Sequence, residues 1–195
     1  MADAGRVIAG SARGIRLAAP GEATRPFGDR VKQTCFAILE PELAGARVLD
    51  LFAGSGAGAI EALSRGAAHA DLVERDRTAL ATIAENLRRT GLSGRATAIR
   101  ADALAWLAAD GPAAGPYDLV IVDPPYAETA LLRATLERLG AGGTARILAP
   151  DGRVVVKHFW REELPGRVGL LASERSRRFG ETALTFYRAA GEEER

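Results

Sequence analysis

Two stretches of this sequence carry residues whose types and spacing could do chemistry. The first, "VLDLFAGSGAGAIEAL", reads as a strand, a glycine-rich turn and a helix. Gly54 and Gly56 let the backbone come close to a ligand and reach positive φ without a Cβ clash. The following helix points its free N–H groups at whatever lies there. Gly54, Gly56 and Ala59 literally satisfy the fingerprint G-x-G-x-x-A, which fits a dinucleotide site and equally a tight packing turn. Asp50 argues against a pyrophosphate, because a carboxylate ahead of the loop repels an anion and suits an ammonium group. Glu74 ends the next strand in "LVERD", where an acid can accept hydrogen bonds from both ribose hydroxyls. Ordinary surface charge is the plain alternative, and Asp76 is a neighbouring competitor. Asp102 closes the third strand in "RAD"; it could hold an adenine amine or cap the next helix. The ligand these residues describe has an amine, a ribose and an adenine, and no phosphates. S-adenosylmethionine fits that description.

The second stretch is "DLVIVDPPY", Asp118 to Tyr126. Five residues read as a buried strand, and the prolines must end it because they cannot donate to a sheet ladder. An acid, two rigid residues and an aromatic ring therefore stand at a core strand's exit. Asp50, Glu74, Asp102 and Asp123 then occupy four consecutive strand ends, and open α/β sheets bind ligands outside the carboxyl ends of their strands.

The elements that must position these residues follow from the pattern. Strands "RVLDLF", "ADLVER", "ATAIRAD", "DLVIVD" and "RVVVKHF" alternate with helical segments "GAIEALSRG", "RTALATIAENLRRTG", "ALAWLAAD" and "TALLRATLERLG". That alternation predicts an α/β fold with a mostly parallel sheet covered on both faces. "VGLLASERSRRF" and "TALTFYRA" have no helix between them and should add an antiparallel C-terminal hairpin, seven strands in all. Residues 6–19 predict a small N-terminal β-hairpin. Residues 20–28 read as a loop, and Asp29 as the cap of a helix carrying Val31, Cys35, Ile38 and Leu39. The expected organisation is residues 1–28 as hairpin, loop and RNA contact, and residues 29–195 as the catalytic domain.

The totals set bounds. The chain has 195 residues, 47% of them hydrophobic, which suits one domain with a sizeable core. No apolar run reaches bilayer length, and no signal peptide is evident. The single Cys35 excludes an internal disulfide and reads as core packing in a reducing compartment. His69 and His158 lie far apart, so no metal is expected. Net charge is +1, but its distribution is uneven. Arg6, Arg13, Arg16, Arg25, Arg30 and Lys32 face only Asp3, Glu22 and Asp29 in the first 32 residues, and Arg175, Arg177 and Arg178 form a second cluster. Arginine-rich clusters suit bidentate phosphate contacts, although a solvated arginine-biased surface looks the same.

"LDLFAGSGA" with "DPPY" resembles the Rossmann-like class I methyltransferases that modify exocyclic amines. Adding "RVIAG", "TRP" with "DRV", and "TALTFYR", the chain resembles the bacterial 16S rRNA guanine-N(2)-methyltransferases of the RsmD family, from about residue 6 to 189. Departures are local: Phe27-Gly28 follows "TRP" in place of small hydroxylated residues, and "KHFW" stands where "EH" is common. The resemblance implies methyl transfer from S-adenosylmethionine to N2 of a guanine in 16S rRNA. The implied cofactor set is Asp50, Phe52, Gly54, Gly56, Glu74, Asp102 and Ala103. The implied catalytic set is Asp123, Pro124, Pro125 and Tyr126. Asp123 and the Pro124 carbonyl would each accept one N–H of the target amine, the prolines would hold that carbonyl, and Tyr126 would stack on the base. Arg6, Arg13, Arg16, Arg25, Arg30 and Lys32 would meet RNA, with a cytoplasmic monomer acting on an assembling small subunit.

Alternatives share parts of the pattern. A DNA or RNA adenine N6-methyltransferase uses the same "DPPY" chemistry, but a DNA enzyme needs a target-recognition domain for which the chain has little room. A protein glutamine N5-methyltransferase normally reads "NPPY". An NAD-dependent oxidoreductase would use the glycine loop, and a non-catalytic RNA-binding module would not need "DPPY".

Overall fold

The structure is a computed structural model and describes residues 3–21, 27–109, 114–141 and 147–189. The chain divides into two compact units, Met1–Asp102 and Ala103–Arg195.

The first unit opens with an antiparallel ribbon of β1 (Asp3–Arg6) and β2 (Arg16–Ala18), in register Asp3 with Ala18 and Arg6 with Arg16. The expected hairpin is present and begins earlier, at Asp3. Helix α1 (Asp29–Leu39) buries Cys35, Phe36 and Leu39, so Cys35 is a core residue. Asp29 does not cap this helix. Gly28 holds the cap position, and the Asp29 carboxylate instead accepts the Arg6 backbone N–H at 3.3 Å. The aspartate faces the ribbon because Arg6 also pairs with it, at 3.4 Å.

Strand β3 (Arg47–Asp50), helix α2 (Ala57–Ser64), strand β4 (His69–Glu74), helix α3 (Arg77–Thr90) and strand β5 (Ala96–Arg100) complete this unit. β4 pairs in parallel with both β3 and β5. Asp76 caps α3 by accepting the Ala79 N–H at 2.8 Å, and Gly91 ends it at φ 70°. Asp76 is thus committed to helix geometry rather than to a ligand.

The ribbon is fastened to α2 and α3 by buried polar side chains. Glu61, fully buried, accepts from the Ile8 and Ala9 N–H groups at 2.8 and 3.1 Å. Ser64 accepts from the Ala12 N–H and donates to the Ala9 carbonyl. The Asn86 side chain bonds both the N–H and the carbonyl of Ala18. These groups satisfy backbone that would otherwise be buried unpaired, a loss of about 1–3 kcal/mol per group. Gly10 sits where a Cβ would lie 1.8 Å from the Ser64 carbonyl oxygen.

The second unit contains helix α4 (Ala103–Ala109), strand β6 (Tyr117–Val122), helix α5 (Thr129–Gly140) and strands β7 (Leu148–Phe159), β8 (Arg167–Val168), β9 (Leu171–Phe179) and β10 (Thr182–Ala189). β7 is parallel to β6 and antiparallel to β10, which is antiparallel to β9. β10 is buried on both faces, whereas β9 is mostly exposed. The expected C-terminal antiparallel pair is therefore β9 and β10. The two-residue β8 adds a strand that the sequence pattern did not suggest, because two residues carry no periodicity.

Candidate active site

In the first unit the strand ends bring the glycine loop and the acids together. Gly54 and Gly56 adopt φ 53° and 77°, the left-handed region that glycine enters without penalty. Glu74, at the end of β4, accepts the Gly54 N–H through Oε2 at 2.9 Å and the Asp76 N–H through Oε1 at 2.9 Å. A carboxylate has about four acceptor positions, so each oxygen keeps one for a hydroxyl. The Glu74 carbonyl accepts from the Ala101 N–H at 3.2 Å, which sets the exposed Asp102 beside it. Phe52 is half-buried in the turn between β3 and the loop. Asp50 is 3% exposed, and its Oδ2 accepts the Ala59 N–H at 3.2 Å. Expected to meet a ligand ammonium, this carboxylate is in part spent on the start of α2, where it complements the helix dipole.

In the second unit β6 delivers "DPPY" to its carboxyl end. Asp123 is partly buried, Pro124 buried, Pro125 exposed and Tyr126 half-buried. The Pro125 carbonyl accepts the Glu128 N–H, closing a turn, while the Pro124 carbonyl has no hydrogen-bond partner among the described residues. The Tyr126 hydroxyl lies 2.7 Å from Thr182 Oγ1, which fixes the ring edge. Ala103, expected with the cofactor set, is a buried residue at the start of α4.

Sequence reasoning missed the strongest contact of this site. Lys157 on β7 lies 2.8 Å from both Asp123 oxygens and is 6% exposed. Its ammonium also sits 5.3 Å from the centre of the Tyr126 ring. Burial pushes the Asp123 carboxyl above the usual range, and the Lys157 charge opposes that shift. The signal was present as the unusual "KHFW", where the lysine precedes the histidine. His158 is buried, with Nε2 2.9 Å from Thr185 Oγ1 and Nδ1 2.9 Å from the Phe159 carbonyl. Burial pushes its pKa down, so the ring is neutral at pH 7 and anchors β7 to β10. Pro124, Tyr126, Glu128, Lys157, Phe159 and Glu162 help line a small cleft beside the motif.

The N-terminal basic residues divide. Arg13 and Arg30 are exposed. Arg6 and Arg16 are exposed but paired with Asp29 and Asp3. Lys32 corrects the expectation of a surface contact. Its side chain is fully buried, and Nζ makes no hydrogen bond among the described residues, with Asp29 at 3.7 Å. The ribbon covers it, so it cannot meet a phosphate in this arrangement. Arg25 lies outside the described residues.

Parallel strands, a left-handed glycine loop joined to an acid on the neighbouring strand, and "DPPY" after β6 define an α/β, Rossmann-like methyltransferase. The family model described as "Conserved hypothetical protein 95" matches residues 5–188. Ribosomal RNA small subunit methyltransferase D of Escherichia coli K12 is 36% identical over 183 residues, covering 93% of this chain and 88% of the relative. YlbH of Bacillus subtilis, a candidate rRNA methyltransferase, is 39% identical over 187 residues, covering 95% and 100%. Among solved structures, the candidate methyltransferase yhhF of Escherichia coli has a TM-score of 0.81 at 35% identity and covers 96% of this chain and 98% of its own. The chain belongs to the Conserved hypothetical protein 95 family, that of the RsmD-type rRNA methyltransferases.

Proposed function

We propose that the chain transfers a methyl group from S-adenosylmethionine to N2 of a guanine in 16S rRNA. The observation that carries this reading is Asp123, held through both oxygens by Lys157, next to the Pro124 carbonyl, which has no hydrogen-bond partner among the described residues, in a chain that belongs to the RsmD family. The Escherichia coli relative is by name a small-subunit rRNA methyltransferase, and S-adenosylmethionine is the methyl donor of this reading.

The donor set of the first unit fits that cofactor. Glu74 retains acceptor positions for the ribose hydroxyls, Asp102 is exposed beside it for the adenine amine, and Gly54 opens the loop. The Asp50 carboxylate ahead of the glycine loop speaks against a pyrophosphate, and so against a dinucleotide. When bound, the cofactor supplies an electrophilic methyl group on a sulfonium.

A guanine amine is a poor nucleophile because its lone pair is delocalised into the ring. Asp123 and the Pro124 carbonyl, each accepting one N–H, favour the pyramidal nitrogen that attacks. Lys157 holds both carboxylate oxygens, which fixes the acceptor and opposes the upward push of burial on its pKa; one lone pair on each oxygen remains for the amine. Tyr126 offers a stacking face for a base taken out of its helix. Catalysis is then positioning and charge placement, without a covalent enzyme intermediate. Arg13 and Arg30, with Arg6, Arg16 and Arg25, serve as RNA contacts, and residues 1–28 act as the RNA-contacting appendage of the catalytic domain. A cytoplasmic monomer acting on an assembling subunit completes the reading.

The test is incubation of unmodified 16S rRNA with the chain and labelled S-adenosylmethionine, followed by nucleoside mass mapping. N2-methylguanosine is expected. N6-methyladenosine as the product, or no label in RNA, would overturn the reading.

A further inference from the structure

From the C-terminal unit we infer a second RNA-docking surface, a guanidinium–aromatic platform of Arg161, Trp160 and Arg178, which holds single-stranded RNA flanking the target. It rests on the methyltransferase reading above and adds the means of holding the substrate. Three observations carry it. An aromatic row leads away from "DPPY": Tyr126 to Phe159 and Phe159 to Trp160, with ring centres 6.3 Å apart at each step. The row ends in two arginines. The Arg178 guanidinium carbon lies 3.4 Å from the centre of the Trp160 ring, and that of Arg161 lies 4.9 Å away. Arg178 is also tethered through Nε to the Gly180 carbonyl at 2.9 Å.

A stacked, tethered guanidinium has lost most of its side-chain freedom before a ligand arrives. It keeps its terminal donors for a phosphate oxygen and an open face for a base. The charge here is also unspent. Arg161, Arg175, Arg177 and Arg178 are exposed, and none pairs with a carboxylate among the described residues. Glu162 is engaged by Arg133, and Glu174 by Arg153 and Arg188. By contrast, Arg6 and Arg16 on the ribbon are neutralised by acids. Cationic charge next to stacking rings is the chemistry that single-stranded RNA requires.

The experiment measures binding of the full chain to an unmodified 16S rRNA transcript across a salt series, with cofactor affinity as the control for folding. Arg161→Ala/Arg178→Ala should weaken RNA binding about tenfold or more. It should also flatten the salt dependence, by about 0.7 for every single-strand phosphate that is no longer neutralised. Arg178→Lys, which keeps the charge but not the flat fork, should bind several-fold more weakly. Arg88→Gln/Arg89→Gln removes equal charge at arginines already paired with Glu85 and should change little. Wild-type affinity and slope in Arg161→Ala/Arg178→Ala, or an equal weakening in the Arg88/Arg89 control, would overturn the platform. If the platform alone is wrong, the wild-type chain still binds and methylates the transcript. If it does neither, the functional reading fails and the platform with it.

Discussion

At the scale of single residues, Asp123 and Lys157 decide the chemistry. Asp123→Ala should abolish methyl transfer in a single-turnover assay while leaving S-adenosylmethionine affinity within a few-fold, because the glycine loop and Glu74 are untouched. Lys157 makes a separate prediction. Burial raises the Asp123 pKa and Lys157 restrains it. Lys157→Met removes the restraint, so the carboxyl stays protonated to a higher pH. The acidic limb of the kcat/KM profile should therefore move to higher pH, and activity at neutral pH should fall; Lys157→Arg should restore most of both. An acidic limb unmoved in Lys157→Met would show that the lysine is only a packing residue. Glu74→Ala should weaken cofactor binding by about 1.5–3 kcal/mol for each hydrogen bond removed from the charged acceptor. Isothermal titration measures that directly.

At the scale of elements, the ribbon β1–β2 and its supports make the local demands. Gly10 stands at φ 83°, and a side chain there would run into the Ser64 carbonyl. Gly10→Ala should therefore destabilise the chain by more than the roughly 1 kcal/mol typical of point substitutions, lowering its urea midpoint. Lys32 is the reverse case. Its buried ammonium lacks a hydrogen bond among the described residues, and burial pushes its pKa down against the pull of Glu61 and Asp29. Replacing a buried, poorly paired charge by an apolar chain of similar length is often neutral or stabilising by about 1–4 kcal/mol. Lys32→Met should raise the urea midpoint, and a clear drop would mean the charge is structurally required. The same region shows how tertiary context escapes a linear reading. Lys32 shares the buried stripe of α1 with Cys35, Phe36 and Leu39, a position where a lysine is not expected. Glu61 on α2 is fully buried and accepts from the Ile8 and Ala9 N–H groups, more than fifty residues away in sequence.

At the scale of the whole molecule, the alternation of strands and helices was legible because each strand is an apolar run and each helix has a clear period. The C-terminal pair was legible because no helix intervenes. The glycine loop, Glu74 and "DPPY" were legible because local backbone geometry demands those residue types. Lys157 was not, because the departure "KHFW" points to no role until its partner Asp123 on another strand is known. Nor did the sequence reveal that Arg6 and Arg16 are neutralised while Arg161 and Arg178 are not. Charge counts along a chain do not record pairing in space.

The last expectation concerns stability at high pH and rests on Tyr187. This fully buried β10 residue donates its hydroxyl to the Pro165 carbonyl at 2.8 Å. Burial pushes its pKa from 10.0 up to about 12. Between those values the folded chain keeps a proton that the unfolded chain has released, so folding stability falls as pH rises. The contribution is complete below about pH 10 and disappears through about pH 12. Urea midpoints measured from pH 8 upward should decline across that window in the wild-type chain. Tyr187→Phe should start lower, by about 1 kcal/mol for the missing hydrogen bond. It should then decline less steeply, because the phenylalanine cannot titrate. Parallel declines in the two proteins would show that other groups govern alkaline unfolding.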